Sequence, residues 1–109
     1  MRNVASLNEN VPHLIAKIAN WHYEKDLIHG STADAQFRKL VAEVGELAES
    51  LTAGASFSDR LDAVGDVMVV LINLAERQNI TIDEALRHSY AEIRKRTGKN
   101  VDGVFVKDY

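Results

Sequence analysis

The chain of 109 residues contains no cysteine, so disulfides and thiolate metal sites are excluded, and a reducing compartment such as the cytoplasm is expected. Proline is almost absent too. The single one, Pro12, suits the first turn of a helix behind a capping Asn10. Long apolar runs are missing: the longest, Val67–Ile72, falls far short of a membrane span. The N-terminal MRNVASLNEN lacks the apolar core of an export signal. An excess of positive charge is also missing, since 13 Lys plus Arg stand against 16 Asp plus Glu, a net −3. That balance argues against a nucleic-acid binder. Neither an internal repeat nor a low-complexity segment is present.

What remains reads as one all-α domain over residues 1–109. Helix-capping residues, helix-ending glycines and 3.6-residue apolar periodicity predict helices at about 11–28, 32–52, 58–78 and 82–97. The first should turn Leu14, Ile15, Ile18 and Trp21 inward and stop at Gly30. Thr81 with Glu84 forms a capping-box pattern for the fourth. Residues 99–109 read as an extended tail turning at Asp102-Gly103.

Two acidic stripes stand out. In KLVAEVGELAES, Phe37, Leu40, Val41, Val44, Leu47, Ala48 and Leu51 form a broad apolar face, edged by Lys39, Glu43, Glu46 and Ser50. In LDAVGDVMVVLINLA, Asp62, Asp66 and Asn73 share a stripe on a helix that is apolar nearly all round and so should be buried. Buried carboxylates are costly without a compensating cation. Acids three or four apart on a helix can grip one cation together, and an oxygen-only set favours Mg²⁺, with Mn²⁺ as a substitute. A solvated helix edge with Lys39 as i,i+4 partner is the plain alternative for Glu43 and Glu46, and first-turn dipole compensation is the alternative for Asp62. Gly45 and Gly65 each precede an acid in mid-helix, where glycine costs about 1 kcal/mol against alanine, so a close approach by a helix or ligand is expected.

These motifs, together with the ending IRKRTGKNVDGVFVKDY, resemble the MazG-like all-alpha nucleoside triphosphate pyrophosphohydrolases, in particular the small stand-alone and phage-type members. The resemblance covers about residues 36–107. It implies a four-helix bundle-like all-alpha NTP pyrophosphatase fold assembled as a homodimer or homotetramer. It further implies Mg²⁺-dependent cleavage of a nucleoside triphosphate to the monophosphate and pyrophosphate. By position Glu43 and Glu46 match the ExxE pair, and Asp66 matches the last residue of ExxD. The first acid of ExxD falls on Ala63, with Asp62 one residue earlier. The expected metal set is Glu43, Glu46, Asp62 and Asp66, with Glu46 and Glu43 catalytic. Lys39, Arg96 and Lys99 are candidates for the polyphosphate, Asn73 for base or ribose, and Trp21 for stacking on a base. Each has a plainer competitor: a salt bridge, C-terminal dipole compensation, a buried amide and a core tryptophan. His13, His22, His29 and His88 form no metal pair.

Other readings stay open. dUTPase-like and phosphoribosyl-ATP pyrophosphatase-like hydrolases lie within the same superfamily. A ferritin-like di-iron bundle needs inward Glu-x-x-His pairs that this chain lacks. A non-catalytic helical interaction module would leave the acids solvated and show no specific Mg²⁺ site. Val101, Val104, Phe105 and Val106 of the tail would be exposed on a monomer, which points to a homo-oligomer.

Overall fold

The computed structural model describes residues 9–108. Most of the N-terminal stretch MRNVASLNEN, read above as carrying no export signal, lies outside the described residues. The chain is mostly helical: α1 (Val11–Glu24), α2 (Ala33–Ser50), α3 (Phe57–Glu76) and α4 (Ile82–Ile93), followed by an antiparallel hairpin of β1 (Gly98–Val101) and β2 (Val104–Lys107). No helix among the described residues is long and apolar enough to cross a membrane.

Each helix starts on a side-chain cap. Asn10 accepts from the His13 amide at 2.8 Å and Thr32 from Ala35 at 3.0 Å. Ser56–Asp59 and Thr81–Glu84 form reciprocal capping boxes. The ends depart from the sequence reading. α1 stops at Glu24 instead of about 28, because Asp26 takes a left-handed conformation (φ 58°). Its amide donates to the Tyr23 carbonyl and the Leu27 amide to the His22 carbonyl, which is the Schellman pattern. Asn79 (φ 57°) closes α3 in the same way. Gly30 does not end α1; a Cβ there would collide with the Asp26 side chain. The tail turns at Asp102 and Gly103, both at positive φ, as a two-residue hairpin requires.

The helices bury little apolar surface. α2 and α3 fold back on each other and make the most extensive interhelical contact, and α1 covers only the C-terminal half of α3. Ile15, Ala19 and Ile72 form the core, with Ile18 and Ile82 against it. Trp21 is not inward as expected; it is half exposed and lies edge-on to the His22 ring. His22 takes the inward position instead, in register with Ile15 and Ala19 at i, i+4, i+7. The expectation that α3 is buried all round also fails. Leu61, Val64 and Met68 are exposed, as are Phe37, Val41, Val44 and Leu51 of α2. The α2 surface that meets α3 is the stripe of Gln36, Leu40, Glu43, Leu47 and Ser50. Helical periodicity of about 100° per residue then places the exposed apolar side chains on one side of the α2–α3 pair and the carboxylates on the other.

Candidate metal centre

Glu43 lies one turn before Glu46 on α2, and Asp66 sits across from them on α3. One carboxylate oxygen from each of the three falls within 4.8 Å of the others. Glu43 is the buried member, 4 % exposed, whereas Glu46 and Asp66 are open to solvent. The conflict between charge and burial that the sequence placed at Asp66 is thus found one helix away. Asp66 escapes burial because it lies on the carboxylate side of the pair, where no other helix covers α3.

Glu43 splits its two oxygens between different environments. Oε1 pairs with Lys39 Nζ at 2.9 Å. Oε2 is buried and has no hydrogen-bond partner. The Lys39 ammonium holds the Glu43 carboxyl below the usual range, and Glu43 in turn raises Lys39. Glu46 is pushed up, first by sharing a hydrogen bond with Glu43 and then by its negative charge. The two neighbouring acids are therefore driven apart: Glu43 loses its proton at lower pH than an ordinary glutamate and Glu46 at higher pH.

Glu46 and Asp66, but not the buried Glu43, line an open cleft of about 670 Å³ between the end of α2 and the start of α3, together with Glu49, Asp59 and Asp62 among others. Asp62 lines the cleft but is not drawn into the three-carboxylate group; it sits one turn away from Asp66 toward the helix start. Ala63 is buried in the cleft wall, so the residue in the ExxD register does face this space. Gly45 and Gly65 have nothing within 4 Å of where a Cβ would stand, so no neighbouring helix of the chain explains them.

The remaining candidates are dispersed. Lys39 belongs to the centre through Glu43. Trp21, Arg96 and Lys99 do not line the cleft. Asn73 is not available to a ligand, being 0 % exposed. Its Nδ2 donates to His22 Nδ1 at 3.2 Å and to the Leu27 carbonyl at 3.0 Å, and its Oδ1 accepts from Arg77 Nε at 2.9 Å. Arg77 also donates to the carbonyls of Leu27 and Ile28. His22 Nε2 reaches the Val69 carbonyl at 2.8 Å. A carbonyl only accepts, so Nε2 carries the ring proton and Nδ1 accepts. Sequence reading passed over His22 as ordinary; its i, i+7 spacing from Ile15 was the available signal.

No family model matches the chain, and no solved structure matches it. An uncharacterized 18.2 kDa protein in the rep-hol intergenic region of Haemophilus phage HP1 (strain HP1c1) is 32% identical over 71 residues, which is 65% of this chain and 43% of that protein. The chain thus spans less than half the length of this relative.

Proposed function

We propose that the chain is a MazG-like, Mg²⁺-dependent nucleoside triphosphate pyrophosphohydrolase of the cytoplasm, cleaving between the α and β phosphates to release the monophosphate and pyrophosphate. The observation that carries the reading is the convergence of one carboxylate oxygen each from Glu43, Glu46 and Asp66, on a Glu43 side chain whose Oε2 is buried without a hydrogen-bond partner. A buried carboxylate oxygen left unpaired is expensive, and a cation at this point would satisfy it. The three-oxygen donor set with no sulfur or imidazole suits Mg²⁺ or Mn²⁺.

Glu43, Glu46 and Asp66 would hold the ion. When bound, it would offset the negative charge of the triphosphate and lower the pKa of a coordinated water. The chain's own residues divide the other tasks. Lys39 occupies Oε1 of Glu43 and so keeps Oε2 turned toward the site. Glu46, whose pKa is raised by its neighbour Glu43, would accept a proton from the attacking water through an oxygen not holding the ion. The exposed apolar side of the α2–α3 pair supports assembly as a homodimer or homotetramer.

A panel of ribo- and deoxynucleoside triphosphates with Mg²⁺, scored for pyrophosphate and for orthophosphate, tests the reading. Monophosphate plus pyrophosphate is expected. A diphosphate with stoichiometric orthophosphate would overturn the site of cleavage, and no turnover of any member would overturn the activity. The exposure of Glu46 and Asp66 favours one competitor, a non-catalytic helical interaction module; it predicts no specific Mg²⁺ binding at all.

A further inference from the structure

Charge is divided unevenly along the chain. Residues 1–86 carry seven Lys or Arg against thirteen Asp or Glu, and residues 87–109 carry six against three. The basic part is also the part with least packing. α4 buries none of its residues, and every residue of both strands is exposed. No Cα of either strand lies within 8 Å of a Cα in any helix. A two-stranded hairpin on its own is marginal in water, so this one needs cover. The end of α4 and the hairpin enclose a groove of about 670 Å³ lined by Tyr90, Ile93, Arg94, Arg96 and Phe105. Neither these arginines nor Lys99 make an ion pair among the described residues.

The acidic cleft shows the reverse imbalance. Glu49, Asp59 and Asp62 line it beside Glu46 and Asp66, and none of these three has a cationic partner among the described residues. The arm does not reach the cleft of its own chain. It follows α4, which departs from the end of α3 about 15 Å along the helix from Asp66, and no Cα of its strands comes within 8 Å of a Cα in α2 or α3.

We propose that this arm, residues 94–107, docks on the acidic cleft of a second copy of the chain, so that each cleft is completed by the partner copy's basic groups. Arg94, Arg96 and Lys99 then face Glu49, Asp59 and Asp62, and Tyr90, Ile93 and Phe105 gain apolar cover. The docking rests on charge and packing. Only the further role of Arg96 and Lys99, holding the phosphates of a triphosphate bound at the partner's carboxylates, rests on the function proposed above. The attraction is between exposed charges and weakens with salt.

The lack of native cysteine makes the test direct. Lys99→Cys and Glu49→Cys are made in separate chains, mixed, and treated with a short bismaleimide. A covalent dimer formed in the mixture and suppressed by high salt is expected, with little from either variant alone. No dimer in the mixture, or a same-chain link in the doubly substituted protein that leaves the mass monomeric, would overturn the proposal. A second arm uses activity: Glu43→Gln is mixed with Arg96→Ala/Lys99→Ala, each expected to be inactive alone. In random two-fold dimers one site in roughly four is rebuilt from an intact body and an intact arm, so about a quarter of wild-type turnover should return. No recovery, with the crosslink present, would leave the docking standing and remove the phosphate role. Absence of turnover in the wild type would remove the proposed function and leave the crosslink to decide the docking.

Discussion

Replacing Asn73 by leucine should destabilise the protein by about 2–4 kcal/mol, a large share of the roughly 5–15 kcal/mol typical of a domain. Leucine matches the amide in shape but removes both of its polar ends. His22 Nδ1, on a ring 2 % exposed, loses its only donor. A buried group stripped of its partner costs about 1–3 kcal/mol. Arg77 Nε loses its acceptor as well, but Arg77 is only half-buried and can turn toward water, so its share lies at the low end. The Leu27 carbonyl keeps its bond from Arg77 and adds nothing. For a domain of this size each kcal/mol corresponds to about 4–8 °C, so a fall of at least roughly 8 °C is expected. Urea unfolding followed by circular dichroism, at one fixed protein concentration, measures it. A change under about 0.5 kcal/mol, the ordinary range for an exposed site, would refute the network as described. A stable variant that lost only nucleotide affinity would restore Asn73 as a ligand contact.

The other expectations concern the carboxylates and their glycines. Mg²⁺ at a hundred times its dissociation constant should stabilise the wild type by about 2.7 kcal/mol, and Glu43→Gln or Asp66→Asn should abolish that gain while keeping the helical spectrum; a full Mg²⁺ shift in either variant would refute the metal assignment. Because Glu46 is raised, its proton competes with the cation, so Mg²⁺ affinity should climb with pH through and somewhat above the ordinary carboxylate range and then level off; the same proton favours the metal-free fold at low pH and is lost as pH rises through the raised value, opposite in sign to Glu43. Titration calorimetry at several pH values would expose a flat profile. Gly45→Ala should raise stability by about 0.5–1 kcal/mol, since an added Cβ meets nothing there; a loss of stability would mean that another surface presses on that position. Ala63→Glu should change Mg²⁺ affinity because Ala63 lines the cleft, and unchanged titration curves would show that its side chain does not reach the ion.

Local chemistry was easy to read from the residues. Asn10 and Thr81 cap as expected, and Thr32 and Ser56 cap α2 and α3 in the same way, because capping depends on groups within three positions. The pairing of Glu43 with Lys39 and the meeting of Glu43, Glu46 and Asp66 were legible for a related reason: helical spacing and a short connection leave few alternatives. What could not be read was the direction each face takes. Phe37, Val41 and Val44 look like core by periodicity, yet within one chain the polar stripe of Gln36, Glu43 and Ser50 meets α3. Periodicity identifies a face that wants cover without saying which chain supplies it. The same limit misplaced Trp21 and Asn73. Trp21 yields the inward position to His22 beside it on α1, and the partners of Asn73, His22 and the Leu27 carbonyl, come from segments whose pairing with α3 is set only by the fold.

The α2–α3 pair is fastened at both ends. Residues 51–56 join the helices beside the carboxylates, and Arg77 at the far end of α3 grips the carbonyls of Leu27 and Ile28, just ahead of α2. A beam held at two supports resists both splaying and sliding. The separation between the acids of the two helices is therefore set when the chain folds, and a cation meets ligands already in place. Capture of the ion should then be quick, with little rearrangement, and selectivity between ions should follow from the fixed gap. It also follows that the centre can be loosened from a distance: Arg77→Ala touches none of the carboxylates, yet it would let them drift apart.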